Sequence, residues 1–379
     1  MSDLQVAAPA GSARRVAVKR IDCDVHLTPL PASLVEFMPS DVLDSVMRKD
    51  LRRLIPRSCY LLLGEGLRED AWGPDGEVPG THKETVKRQL WGEAKMDFGF
   101  MTPLVGVGAD PAVNLAIMRG LNTWQAETWL NEDDPRFFGS ICVPVDNVPG
   151  AIAEIEHWAG HDGFRQVLIQ PDGDRPFGHP QYFPLWEAAA RHRLPVAMHF
   201  NESNRLQMGI TPTGRFTTYF EYHAISHPLE YAAHLTSWIT AGTFSRLPDF
   251  KVVFVEGGFL WHRPLIARMN RQWEAKSGFL PDAAKSPLDC LRDHVRFSSQ
   301  PMESAVRPKE LAAYLRAAEA DRLLMFATDY PHYDFDDPDV ALPPTIDDAL
   351  RSRIMSENAR EFYDLPATRP AGPYDEVDA

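Results

Sequence analysis

The sequence predicts an α/β fold, a (β/α)8 barrel, on two observations. Short apolar or β-branched stretches alternate with longer stretches of one-sided helical spacing, the pattern of parallel βα units. Eight such strands can be counted, and several are apolar at almost every position, as strands buried on both faces must be. A count of eight favours closure over an open sheet. The strands are expected at 20–25, 103–107, 137–145, 166–170, 195–200, 251–255, 295–299 and 323–328. Most are bounded by Gly, Pro or Asp, residues that end a strand and turn the chain.

Helices fill the intervals. Segments 111–129, 148–159, 182–192, 229–241, 263–276, 308–320 and 345–363 place apolar residues on one face. Pro111 and Pro308 open two of them, where a missing N–H costs nothing. The rhythm breaks once, after the first strand. From about 29 to 95 no βα unit can be read. This insertion holds a basic run, Arg48-Lys49-Asp50-Leu51-Arg52-Arg53, and a Gly/Pro-rich loop at 73–80. Two readings stand for it, a lid facing the substrate or a helical excursion for subunit contact. Residues 1–18 read as a flexible arm and 366–379 as a flexible tail, leaving a single domain over 19–365.

The formal net charge of −14 on 379 residues disfavours a general role in binding polyanions or anionic membranes. Four cysteines, Cys23, Cys59, Cys142 and Cys290, are scattered without C-x-x-C spacing, which argues against a disulfide framework or a zinc knuckle. Buried thiols in a reducing compartment, and hence a cytoplasmic location, are expected. No stretch approaches the ~18 uninterrupted apolar residues of a membrane span.

The chemistry concentrates at strand ends. In Ile21-Asp22-Cys23-Asp24-Val25-His26, alternation puts Asp22, Asp24 and His26 on one side. His199 closes Val196-Ala197-Met198-His199, and Asp329 follows Phe326-Ala327-Thr328. A catalytic metal in a barrel takes three or four ligands from several strand ends at the C-terminal face and keeps a position open. Asp24, His26, His199 and Asp329 are therefore the expected ligands of one divalent metal ion. Each residue alone reads better as structural; their conjunction at strand tips carries the assignment.

Other candidates surround that set. Arg57 and Arg205 lie in active-face loops, and an Arg fork matches a substrate carboxylate; solvated surface positions are the competing reading. Trp261 and Phe200 would wall a planar substrate or pack under helices. His332 stands either against substrate or in a structural turn. There is no Gly-x-Gly-x-x-Gly, Walker loop or nucleophile elbow, so a metal-activated water is the economical hydrolytic route.

These motifs resemble the amidohydrolase-related family of the amidohydrolase superfamily, the group that includes aminocarboxymuconate semialdehyde decarboxylase. The resemblance spans roughly residues 20–363. It rests on Ile-Asp-Cys-Asp-Val-His-Leu-Thr-Pro (21–29), Pro-Val-Ala-Met-His-Phe (195–200), Leu-Pro-Asp-Phe-Lys-Val-Val-Phe-Val-Glu-Gly-Gly (247–258) and Thr-Asp-Tyr-Pro-His (328–332). It implies a distorted TIM barrel, one divalent metal (zinc or manganese), a small carboxylated or aromatic substrate, and a homodimer or homotetramer. Two positions depart from the family pattern. Asp24 replaces the first His of the usual His-x-His, and its harder oxygen tilts preference toward manganese. Glu256 stands where the decarboxylases keep a catalytic His. Glu256 would act as base, as an orienting group or as a substrate partner. His223, in Phe220-Glu221-Tyr222-His223, resembles a Tyr/Trp-His pair of members carrying Val-Glu-Gly-Gly and is the expected proton-transfer residue. Packing or capping is the competing reading for His223, and the preferred one for His227 and His234.

The leading expectation is a metal-dependent hydrolase of a small amide, ester or lactone. Asp329 would be the base toward a metal-activated water, and His223 or Glu256 the acid toward the leaving group. The alternative is a non-oxidative decarboxylase of an aromatic or unsaturated acid, with Asp329 or His223 protonating carbon. A third reading, left open by Asp24 and Glu256, is a metal-free barrel acting as a binding or scaffold subunit.

Overall fold

A computed structural model describes residues 14–27, 29, 31–38, 66–104, 110–130, 135–171, 173–200, 219–276, 278, 285–303 and 307–375. Its strands are β1 (Arg15–Ala17), β2 (Ile21–Val25), β3 (Phe98–Met101), β4 (Phe137–Cys142), β5 (Phe164–Ile169), β6 (Val196–His199), β7 (Val252–Val255), β8 (Val295–Ser298), β9 (Leu324–Met325) and β10 (Thr368–Pro370). Strands β2 to β9 form one parallel sheet in sequence order, with helices between them. The sheet closes where the last strand meets the first. Cys23 N donates to Phe326 O at 2.9 Å, and Val25 bridges Tyr330 in parallel. The result is a nearly closed, distorted (β/α)8 barrel.

The distortion lies at that seam. Strand β9 has two residues, and the Phe326 N–H bonds to Ile354 O instead of extending the ladder. Asp22 compensates from the side chain. Its Oδ1 accepts from Thr328 N at 2.9 Å, and its Oδ2 from the Thr328 hydroxyl at 2.5 Å.

Most expected elements occur, with instructive exceptions. The second barrel strand is Phe98–Met101, ahead of the expected 103–107, of which 105–107 lie outside the described residues. Gly99 disguises it, because glycine weakens a strand signature. A Cβ there would sit 3.3 Å from Val25 and 3.4 Å from the Trp91 ring, a close fit. The helix expected from 229 begins at Tyr219 and runs through Pro228. Helix Pro287–His294 went unread; it is short and capped by Ser286 Oγ, which accepts from Asp289 N. Cys23, Cys142 and Cys290 are buried and unlinked, while Cys59 lies outside the described residues. No described helix is long and apolar enough to cross a membrane.

Within the segments expected as a flexible arm and tail, Arg15–Ala17 and Thr368–Pro370 form strands. Strands β1 and β10 pair antiparallel, Val16 opposite Arg369. Arg369 donates to Asp97 at 2.8 Å and grips both oxygens of Asp375 at 2.8 and 2.7 Å. Asp97 in turn accepts from the Lys19 and Arg20 N–H groups. Local composition does not reveal such a long-range clamp.

At the opposite end, the described part of the insertion lies on the chain after β9. Arg68 N donates to Pro331 O, Tyr333 N to Gly66 O, and the Tyr330 hydroxyl to Gln89.

Candidate metal centre and active site

Asp24 is the fourth residue of β2 and His26 follows that strand. His199 ends β6, and Asp329 lies just beyond β9. All four are buried at C-terminal strand ends, with donor atoms within 4.8 Å of one another. His199 pairs in register with Val255, so the next residue, Glu256, arrives beside it. Its Oε2 lies 3.1 Å from His199 Nε2.

The donors fit a divalent cation. His26 Nδ1 sits 2.9 Å from Thr102 O, and His199 Nδ1 sits 2.6 Å from Phe200 O. A carbonyl only accepts, so both Nδ1 atoms carry a proton, and Nε2 of each ring is the nitrogen that faces the site. His26 Nε2, His199 Nε2 and Asp24 Oδ2 are buried with no hydrogen-bond partner. His26 Nε2 lies 2.8 Å from Asp329 Oδ1 and 3.3 Å from Asp24 Oδ1, without hydrogen-bond alignment to either. Atoms that converge without pairing are arranged as ligands are. Two imidazoles and two carboxylates suit one divalent ion.

Electrostatics hold the cluster together. Burial favours neutral forms, but the charges overcome it. His26 and His199 hold Asp24 well below the carboxylate range, while Asp24 draws both histidines upward. A bound cation takes the place of these protons.

The supporting contacts are specific. The Thr102 hydroxyl donates to Asp24 Oδ1. Asp22, although on the same strand face, is not a ligand, because both its oxygens are engaged by Thr328 and by Asp24 N. Burial pushes its pKa up to about 7 against those bonds. His332 Nδ1 lies 2.8 and 2.9 Å from the two Asp329 oxygens, and its ring tilts over His26 at 4.3 Å. Asp329 and Glu256 sit at φ +63° and +56°. Left-handed backbone at a non-glycine residue costs on the order of 1–3 kcal/mol and clusters at functional sites. Gly257 is dictated by Tyr231, whose ring a Cβ would meet at 2.3 Å. Tyr231 donates its hydroxyl to Val255 O at 2.6 Å, and Ser298 Oγ accepts from Glu256 N at 2.9 Å.

The other expected residues divide. Arg57 and Arg205 lie outside the described residues. His223 lies near the start of helix Tyr219–Thr240, and its side chain is outside the described set. Trp261 packs edge-on against Phe254 and Phe297, the packing alternative of its two readings. His234 is buried against Phe177, its pKa lowered to about 3 by burial. His227 packs on Phe200 at 4.1 Å. Thr102 was missed because the second strand was read too late. A Thr-Pro directly after Phe-Gly-Phe-Met was the available signal.

A parallel barrel that gathers buried histidines and carboxylates at its C-terminal face defines the class of metal-dependent barrel enzymes. The chain belongs to the amidohydrolase family, whose model matches residues 21–365. It is 23% identical over 281 residues to a 2-amino-3-carboxymuconate-6-semialdehyde decarboxylase of Dictyostelium discoideum, covering 73% of this chain and 72% of the relative. An amidohydrolase of Mycobacterium avium subsp. paratuberculosis K-10 has a similar fold, at TM-score 0.68 and 18% identity, covering 92% of this chain and all of that one. So does a dihydroxybenzoic acid decarboxylase of Polaromonas sp. JS666, solved with manganese and 2-nitroresorcinol, at TM-score 0.59 and 17% identity over 92% and 97% of the two chains. At these identities the structural likeness speaks for the fold.

Proposed function

We propose that this enzyme is a metal-dependent, non-oxidative decarboxylase of a small aromatic or unsaturated carboxylic acid. The observation that carries this is the convergence of Asp24, His26, His199 and Asp329, with Asp329 buried against His332. The decarboxylase relative across 73% of the chain supports this alternative over the hydrolysis expected first from the sequence.

A divalent ion held by Asp24, His26, His199 and Asp329 would supply Lewis-acid polarisation of substrate oxygens; manganese or zinc suits this donor set. Asp329 delivers a proton to the carbon bearing the carboxylate. As that C–H bond forms, the C–C bond breaks, its electron pair returns to the carbon framework, and carbon dioxide leaves. His332 holds Asp329 in position and relays the replacement proton from solvent. Glu256, whose Oε2 lies 3.1 Å from the metal-facing Nε2 of His199, stands beside the ligand set as a candidate base or substrate partner. His223 is a second candidate proton carrier, and Arg57 and Arg205 are candidate partners of the substrate carboxylate.

The test is turnover of metal-loaded enzyme with a panel of hydroxybenzoic acids and their amides in deuterated water. Carbon dioxide release, with one deuterium at the vacated carbon, is the expected result. Amide hydrolysis without carbon dioxide would overturn the proposal.

A further inference from the structure

We propose a second ligand site at the opposite end of the barrel, for a small monocarboxylate with a flat apolar body. The cavity has a volume of about 400 Å³, within the ~300–1,000 Å³ of small-molecule pockets. Phe98, Phe138 and Arg165, near the N-terminal ends of β3, β4 and β5, line it together with residues of segment 366–373. The metal cluster lies at the C-terminal strand ends.

Charge in this cavity is uneven. Four guanidinium groups line it, those of Arg15, Arg136, Arg165 and Arg369. Arg136 and Arg369 share Asp375, and Arg369 also holds Asp97. Among the described residues, Arg15 donates to the Thr368 hydroxyl and carbonyl, which are neutral. Arg165 meets no carboxylate among the described residues. Its guanidinium lies 5.4 Å from the Phe138 ring, and its Nε is buried without a hydrogen-bond partner. Among the described residues, then, neither the exposed Arg15 nor Arg165 meets a carboxylate.

A buried donor without an acceptor costs free energy that a ligand oxygen would recover. An Arg fork takes a carboxylate with two parallel hydrogen bonds. Apart from Thr368, the remaining lining is apolar or glycine, led by Phe98 and Phe138, 5.0 Å apart between ring centres, and the prolines of segment 366–373. Such walls match a flat hydrocarbon body and give a hydrated inorganic anion nothing to bury.

The experiment is a fluorine NMR titration of the full-length, metal-loaded protein with 4-fluorobenzoate. The neutral 4-fluorobenzamide and sulfate serve as comparators, and His199→Ala removes binding at the metal centre. The expected result is saturable 4-fluorobenzoate binding that persists in His199→Ala and weakens at least tenfold when Arg165→Gln is added. Fluorobenzamide and sulfate should bind at least tenfold more weakly. Should Arg165→Gln lose its thermal transition, Arg15→Gln and Arg165→Lys serve in its place, each expected to weaken binding. Equal binding of the amide, full displacement by equimolar sulfate, or affinity unchanged in the folded arginine variants would overturn the site.

Discussion

His26 Nε2 lies 2.8 Å from Asp329 Oδ1, across the seam where the last barrel strand closes on the first. Almost the whole described barrel separates the two residues in sequence. The same seam carries the weakest strand pairing and the Asp22–Thr328 stitch. Closure of the barrel and assembly of the ligand set are therefore one structural event. Loosening the seam should loosen the metal.

His199→Ala should abolish stoichiometric metal in protein purified and analysed by mass spectrometry, because one imidazole of four ligands is removed. Asp329→Asn should retain more metal yet lose about 10²–10⁴-fold in kcat, the usual worth of a positioned acid or base. Metal affinity should rise with pH. Asp24 raises the proton affinity of His26 and His199, and those protons compete with the ion. Wild-type turnover by Asp329→Asn would remove it from the chemistry.

His332→Phe keeps a ring against His26 but deletes the hydrogen bond to Asp329. Outer hydrogen-bond partners of metal ligands are typically worth about 10–100-fold in activity or affinity. The loss should fall on kcat more than KM, and His332→Asn should restore part of it. Steady-state kinetics with the metal content checked in each variant decides this.

Gly257→Ala should destabilise the fold by about 1–3 kcal/mol, the usual cost of overpacking. The added Cβ would meet the Tyr231 ring at 2.3 Å. Urea unfolding reads the loss, and Tyr231→Leu should relieve part of it in the double variant. Additive losses would show that the two positions do not clash.

Glu230 gives a pH signature. Its Oε2 is buried without a hydrogen-bond partner, and burial pushes its pKa up to about 8 from an ordinary 4.5. The folded protein then keeps a proton that the unfolded chain releases above pH 4.5. The stability from the protonated carboxyl is full below that pH and is lost as pH rises through about 8. The slope is at most about 1.4 kcal/mol per pH unit. Glu230→Gln should remove this slope and be more stable than wild type at pH 8. Parallel stability curves for the two proteins between pH 5 and 8 would refute the assignment.

Asp24, His26, His199 and Asp329 could be read from the sequence because their cues are local. Strand alternation sets the face of a residue, and placement at a strand's end sets its height in the barrel. The same reasoning failed at β3, where Gly99 interrupts the apolar pattern, and therefore at Thr102, the residue that steadies both Asp24 and His26. For Trp261 it left pocket wall and packing both open, because its contact with Phe254 and Phe297 depends on which face of β7 meets the helices.

By itself, then, the sequence determined the barrel class, most of its alternating elements and the four candidate ligands that the structure gathers, all properties of short-range periodicity. Tertiary structure alone decided the Asp22–Thr328 seam, the His332–Asp329 pairing geometry, and the Arg369 clamp that orders both ends of the described chain. Those contacts join atoms that strand register and barrel closure bring together, and no local pattern encodes which partner a buried polar group will meet.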